Sequence, residues 1–189
     1  MCAPRATICT SASAPRALRS LDERVLRLAR THGHRPSAER TVARFSRLGE
    51  HGGVWLAIGA IGQTLEKPKG GRWRRATSTV AVVYALNTAI KLLVRRPRPE
   101  LPGLPALART PSRLSFPSAH ASTSFAGALS YSRLGLPPLP LHALATSLSL
   151  SRLYLGLHYP SDVLAGALLG TAVGRSRMRT ERHQAGQPR

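Results

Sequence analysis

Four stretches of this chain are apolar over many consecutive positions: residues 76–94, 119–136, 138–157 and 160–174, all rich in Ala, Leu, Val, Ser, Thr and Gly. Most approach the roughly 20 residues that a bilayer-spanning helix needs. A fifth, Val54 to Leu65, is apolar but short. It spans only if it extends back towards Gly49 or sits at a thin or protein-shielded spot. The pattern predicts an all-α chain, a polytopic membrane helix bundle of about five spans. Two short amphipathic helices precede it. Residues 20–32 put Leu21, Val25, Leu28 and Ala29 on one face, with Arg24, Arg27 and Arg30 around the rest. Ser20 is placed to cap this helix, and Glu23 completes a capping-box pattern. Residues 37–48 read as a second helix, with Ser37 as cap and Val42, Phe45 and Leu48 inward. Basic amphipathic helices ahead of apolar spans fit an interfacial pair on anionic headgroups. Packing on the core as ordinary helices fits the pattern equally.

Turn chemistry separates the apolar stretches. Residues 66–75 (EKPKGGRWRR) read as a strongly basic turn, with Trp73 at interface depth. The proline-rich segment 97–115 reads as an irregular loop, and 133–140 as a tight turn. The organisation is therefore a basic N-terminal arm with amphipathic helices (1–49, of which 1–19 reads as disordered), a membrane-embedded domain (50–175), and a basic C-terminal tail (176–189). Residues 1–20 lack a continuous apolar stretch, so no secretory signal is expected.

Composition sharpens this picture. Lys and Arg number 28 against 8 Asp and Glu, a net charge of +20. Such an excess calls for an acidic partner: nucleic acid, anionic lipid or a phosphate substrate. The cations sit in the arm, the loops and the tail that flank apolar segments. That placement favours the membrane and a phosphate over nucleic acid. Cys2 and Cys9 are the only cysteines. A disulfide framework is not expected, nor a metal site, since no acidic cluster is present to hold one.

Three polar motifs interrupt the apolar sequence. Lys91 is followed after six residues by Arg98-Pro99; then comes Pro117-Ser118-Ala119-His120; then Ser151-Arg152, five residues, His158, three residues, and Asp162. Helices that alternate in direction bring all of these to one membrane face. Each motif has a plain reading as well. Lys91 and Arg98 could anchor a helix end, as Arg95 and Arg96 are expected to do. Ser118 and Asp162 could be helix caps, His120 an interfacial histidine, and Arg152 a snorkelling side chain. Together they could grip a phosphate ester. Lys91, Arg98 and Arg152 supply charge, and the helix N-terminus at Ser118 and Ala119 supplies N–H donors. His120 could deliver a proton. The turn Tyr159-Pro160-Ser161 could fold Asp162 against His158, fixing its tautomer and leaving the other ring nitrogen as a nucleophile. Asp162 and Glu100 are the only acids between residues 67 and 180. An isolated carboxylate in apolar surroundings usually has a partner.

These residues resemble the type 2 phosphatidic acid phosphatase and vanadium haloperoxidase superfamily, whose pattern is Lys-x6-Arg-Pro, Pro-Ser-Gly-His and Ser-Arg-x5-His-x3-Asp. The match covers roughly residues 50–175, with Ala119 standing where the family usually has Gly. The resemblance implies an all-helical membrane bundle and a metal-independent lipid phosphatase with no cofactor. It implies His158 as the nucleophile that forms a phosphohistidine, Asp162 as its orienting partner, and His120 as the proton donor and then the base for water. Lys91, Arg98, Ser118, the Ala119 N–H and Arg152 would hold the phosphate. Within the superfamily, LSFPSAHA (114–121) and SRLYLGLHYPSDV (151–163) look most like actinobacterial decaprenylphosphoryl-5-phosphoribose phosphatases, which serve arabinan cell-wall precursor synthesis. Phosphatidic acid, phosphatidylglycerophosphate and polyprenyl diphosphate are the alternative substrates. A haloperoxidase holding vanadate, and a non-enzymatic basic protein binding anionic lipid or nucleic acid, are the other classes.

The expected partners are thus a lipid-linked phosphate substrate and the membrane, with no nucleic acid. The expected location is the cell membrane, crossed several times. Oligomeric state and the exact lipid carry no readable code. The cations divide about evenly between the two faces, ten Arg in the first 50 residues against eleven Lys and Arg opposite, so charge does not decide the orientation. A long basic arm is hard to translocate, which favours a cytoplasmic active site.

Overall fold

A computed structural model describes residues 16–185, and these are all helical or irregular, without a sheet. Seven helices follow in chain order: α1 Arg16–Thr31, α2 Pro36–Arg47, α3 Gly53–Leu65, α4 Gly70–Val94, α5 Ala119–Ser132, α6 Pro138–Tyr154 and α7 Pro160–Ala185. Short 3-10 turns at Glu50–Gly52 and Lys67–Lys69 join α2 to α3 and α3 to α4. Of the arm expected to be disordered, 1–19, residues 1–15 lie outside the described residues, as do residues 186–189, whereas residues 16–19 open α1 as helix. The expected tail continues α7 as helix through Ala185. Of the described helices, α4 alone has both the length and the composition to cross a membrane, and only 22% of its most apolar stretch is buried.

Helix α5 is the axis of the bundle, packed by α4, α6 and α7. Its sequence explains that position: from Ala121 to Ser130 it carries mostly Ala, Ser, Thr and Gly, so neighbours can come close on every side. Its hydroxyls turn back on its own backbone, with Thr123 Oγ1 donating to Ala119 O at 2.8 Å and Ser122 Oγ to the same oxygen at 3.2 Å. The closest approach is to α7. A methyl group on Gly166 would meet Ser118 O at 2.5 Å, and one on Gly170 would meet Ser122 O at 2.1 Å.

The largest apolar side chains gather where α4 and α6 begin and α5 ends. Trp73 stacks on Tyr131 with ring centroids 5.6 Å apart, and Trp55 lies beyond at 6.4 Å. Tyr131 Oη donates to Trp55 O at 2.7 Å, and Trp55 Nε1 donates to Ser124 Oγ at 2.9 Å. The motif residues lie at the other end, where α4 ends, α5 begins, α6 ends and α7 begins.

Several expectations are corrected. The 66–75 segment is not a simple turn, because α4 starts at Gly70, and Trp73 is buried in the aromatic cluster rather than at an interface. Its ring packs over Gly62, which leaves the space. Ser20 lies inside α1 rather than capping it, and Ser37 lies inside α2, where Arg35 is the N-cap and Pro36 takes the first turn. Helix α1 is turned the other way from its apolar stripe: Leu21, Val25 and Leu28 are exposed, whereas Asp22, Leu26 and Arg30 are buried. In α2 it is Ser46 that is buried, and Leu48 is exposed.

Replacing Gly170 with Ala should push α7 off α5 and cost about 1–3 kcal/mol, the usual range for overpacking. Gly71→Ala, where nothing lies within 4 Å, should be neutral or slightly stabilising. Thermal unfolding in detergent, followed by circular dichroism, separates the two outcomes.

Candidate active site

Helix α4 ends at Arg95, whose left-handed backbone (φ 52°) is followed by Pro97. That reversal turns the chain back over the bundle end, so Lys91 and Arg98 reach one cavity by different routes. The cavity measures about 300 Å³ and is lined by Lys91, Arg98, Ala119, His120, Arg152 and His158. Tyr84, Thr88 and Leu92 of α4 form a more apolar wall. The residues picked out from the sequence are thus brought together by the starts and ends of four helices. The remaining two stand just behind the wall: Ser118 adjoins Ala119, and Asp162 backs the His158 ring.

His158 is buried at the turn between α6 and α7. Arg98 Nη1 lies 3.1 Å from its Nε2. A guanidinium can only donate, so Nε2 is the unprotonated nitrogen and Nδ1 carries the hydrogen. Nδ1 lies 3.6 Å from Asp162 Oδ2, longer than a hydrogen bond. Asp162 is itself fixed, accepting from the Tyr159 N–H at 2.9 Å and from Arg96 Nη1 at 2.8 Å. Burial, reinforced by the charges of Arg98, Arg152 and Lys91, holds the His158 pKa well below the usual histidine value. The ring is therefore neutral at pH 7, with its Nε2 lone pair engaged by Arg98. Burial also lowers the Arg98 pKa to about 10, against the pull of Asp162, and Arg98 stays charged at neutral pH.

Lys91 and Arg98 are positioned by backbone carbonyls rather than by acids. Lys91 Nζ donates to Leu114 O at 3.2 Å and Pro117 O at 3.0 Å. Arg98 donates to Ser112 O at 2.8 Å and Leu157 O at 2.6 Å. Ser118 occupies the N-cap position of α5, as expected, but its hydroxyl makes no capping bond and has no partner among the described residues. A backbone bond from Ser118 N to Asp162 O, 3.0 Å long, ties the second motif to the third. Ala119 is the first helical residue and is not among the positive-φ residues, so Ala in place of Gly is no strain here.

Three residues that sequence reasoning passed over complete the surroundings. Ser46, from α2, has its carbonyl 2.9 Å from His120 Nε2, which must carry the hydrogen, so Nδ1 is the free nitrogen. The Ser46 hydroxyl accepts from Arg152 Nη1 at 2.7 Å. Nothing in the α2 pattern announced this, since a serine between Phe45 and Arg47 reads as surface. Arg96 was expected to anchor a helix end. It instead bridges Asp162 and Asp22, each at 2.8 Å. His51, which no motif claims, lines the cavity mouth in a left-handed conformation (φ 52°), with Tyr84 Oη 2.7 Å from its Nδ1. Among the described residues no group of three or more His, Cys, Asp or Glu converges as metal ligands.

The signature of the PAP2 superfamily matches residues 73–184, more than half of the chain. The chain belongs to the PAP2 superfamily. A decaprenylphosphoryl-5-phosphoribose phosphatase of Mycobacterium tuberculosis is 41% identical over 140 residues, covering 74% of this chain and 78% of that protein. Among solved structures, a transmembrane PAP2-type phosphatidylglycerolphosphate phosphatase from Bacillus subtilis superposes with a TM-score of 0.71 at 21% identity, covering 89% of this chain and 88% of the other. A bacterial vanadium-dependent iodoperoxidase superposes with a TM-score of 0.67 at 17% identity, covering 93% of this chain but only 51% of its own. The two structural likenesses carry the fold. The PAP2 signature begins at residue 73, so Asp22, Ser46 and His51 all lie outside it.

Two outcomes follow for this PAP2 site. A methyl group on Gly49 would meet the His120 ring at 2.6 Å, so Gly49→Ala should displace that ring from the Ser46 carbonyl. Phosphatase activity should then fall about 100-fold, the scale of an ångström-level misplacement, with little change in melting temperature. Arg98→Met removes a charge that disfavours the imidazolium form of His158, so the His158 pKa should rise. The acid limb of the single-turnover rate at saturating substrate should then move to higher pH than in the wild type. An unmoved limb would contradict this account of the ring's environment.

Proposed function

We propose that this chain hydrolyses a phosphomonoester on a lipid-linked substrate through a phosphohistidine intermediate. The substrate assigned is decaprenylphosphoryl-5-phosphoribose, the compound named for the Mycobacterium tuberculosis relative. The observation that carries the proposal is the neutral His158, its Nε2 beside Arg98 in a cavity that Lys91, Arg152 and His120 also line. In the first step Nε2 attacks phosphorus and the bond to the sugar oxygen breaks. His120, whose Nδ1 is free in the resting site, takes a proton from the substrate's phosphate monoanion and gives it to that oxygen. In the second step water attacks phosphorus and His120 takes the water proton. The nitrogen–phosphorus bond breaks, releasing inorganic phosphate and neutral His158. Lys91, Arg98, Arg152, the Ser118 hydroxyl and the Ala119 N–H hold the oxygens as charge builds on them, the main requirement of phosphoryl transfer. Asp162 supports the cation that forms on His158. No metal or cofactor takes part in these steps.

The proposed setting is the cell membrane, crossed several times. Leu92 and Leu93 near the end of α4, Leu150 on α6, and Leu164 and Leu168 on α7 are all exposed, which suits contact with lipid. The outward stripe of Leu18, Leu21, Val25 and Leu28 on α1, with Arg19, Arg24 and Arg27 beside it, suits the headgroup layer. The apolar wall of Tyr84, Thr88 and Leu92 gives the polyprenyl chain a way in from the bilayer.

The test is phosphate release by detergent-purified protein with EDTA present, beside His158→Ala. The panel holds decaprenylphosphoryl-5-phosphoribose, phosphatidic acid, phosphatidylglycerophosphate and a polyprenyl diphosphate. The expected result is turnover that survives EDTA, is highest on the first substrate, and falls at least 1,000-fold in the variant, about 4 kcal/mol of transition-state stabilisation. A near wild-type rate in His158→Ala would sink the mechanism. A different ranking would sink the lipid assignment alone.

A further inference from the structure

We infer that Asp22, on the N-terminal helix α1, is a positioning residue of the catalytic site, acting on Asp162 through a shared Arg96. The inference rests on the role given to Asp162 above and extends it to a part of the chain that the PAP2 signature does not cover.

Asp22 is only 2% exposed, on a helix whose apolar stripe faces outward. Burying a carboxylate is costly unless it is paired and hydrogen-bonded. Here every bond it makes reaches the loops that carry the site. Its Oδ2 accepts from Arg96 Nη2 at 2.8 Å, and its Oδ1 accepts from the Ser161 N–H at 2.9 Å. Ser161 Oγ also donates to Oδ2 and in turn accepts from Arg96 Nη1. Ser161 is the residue before Asp162, so one carboxylate pins both the backbone entering α7 and the cation facing Asp162.

Arg96 is the centre of the arrangement. Its Nη2 meets Asp22 and its Nη1 meets Asp162 Oδ1 at 2.8 Å, while its guanidinium lies 4.0 Å above the Tyr159 ring. The planar fork serves two carboxylates at once, which a lysine cannot do with fixed geometry. The sharing has an electrostatic result. With Asp22 present, the single charge of Arg96 is divided between two acids. Asp162 therefore keeps net negative charge to direct at His158, 3.6 Å away. Without Asp22, Arg96 would neutralise Asp162 alone and be free to pull it off line.

The test is a double-mutant cycle on the full chain: wild type, Asp22→Asn, Asp162→Asn and the double variant. The substrate is para-nitrophenyl phosphate, a soluble phosphomonoester that does not depend on the lipid assignment. Asn keeps the shape of Asp22 and an acceptor for Ser161 while removing the charge. The expected result is a kcat about tenfold lower in Asp22→Asn with KM within twofold, and less than a twofold further loss in the Asp162→Asn background, since coupled residues are non-additive. The same tenfold loss in both backgrounds would overturn the inference. So would an unchanged kcat with only a lower melting temperature. A wild-type rate in Asp162→Asn would instead strike at the role of Asp162, and the positioning role would fall with it. Should Asp22→Asn not fold, Arg96→Lys takes its place in the cycle with the same expectations, because the charge is kept and the bridge is lost.

Discussion

Gly166 and Gly170 let the backbone of α7 lie directly against that of α5, and the geometry of the polar end follows from that approach. Only at such a separation can Ser118 N reach Asp162 O. That bond sets the start of one helix beside the start of the other. His120 is carried on the first, and His158 sits just ahead of the second. The Trp73–Tyr131 stack lies towards the opposite end, with Trp55 packed on Tyr131 nearer the site. The bundle can therefore close tightly around small residues where the chemistry lies.

The cavity gathers positive charge with a single carboxylate, the exposed Glu50, in its wall. Lys91 and Arg98 rest on carbonyl oxygens, and Arg152 on the Ser46 hydroxyl. Carbonyl dipoles orient a cation without cancelling its charge, so the groups are aimed before an anion arrives and little reorganisation remains. The Ser118 hydroxyl and Arg152 Nε, both buried and without partners among the described residues, are donors with bonding capacity to spare. A tetrahedral oxyanion can take up donors of this kind. Asp162 stands behind the histidine, and only the exposed Glu50 shares the wall with the cations, so most of the field is kept.

Much of this was legible in the chain, for identifiable reasons. The motif spacings survive because they are local: the six residues between Lys91 and Arg98 are a helix end plus a proline turn, and His158 to Asp162 is a single turn. Five of the helices follow from runs of apolar residues. What escaped depended on partners distant in sequence. The stripe of α1 points away from the protein because Asp22 and Arg30 find partners inside, namely Arg96 and the carbonyls of Tyr154 and Pro105. No count of apolar positions reveals a pairing 74 residues apart. Trp73 looked interfacial because its neighbours are arginines, yet the gap left by Gly62 draws it inward. Ser46 meets His120 through its carbonyl, which every residue possesses, and Arg152 through a hydroxyl whose partner lies 106 residues away, so neither role shows in the sequence.

The small-residue character of α5 has a thermodynamic corollary. Ser122 and Thr123 bond to their own helix, and the contact with α7 is made largely through small residues, Gly166 and Gly170 against Ala121, Ser122 and Ala126. Cohesion between these two helices thus comes from dispersion and dipole contact, which work in hydrocarbon as they do in water. Pulling them apart would uncover little apolar surface and so carry little heat-capacity change. The strength of that seam should vary only slowly with temperature, while the aromatic cluster at the far end remains the part whose stability bends with it.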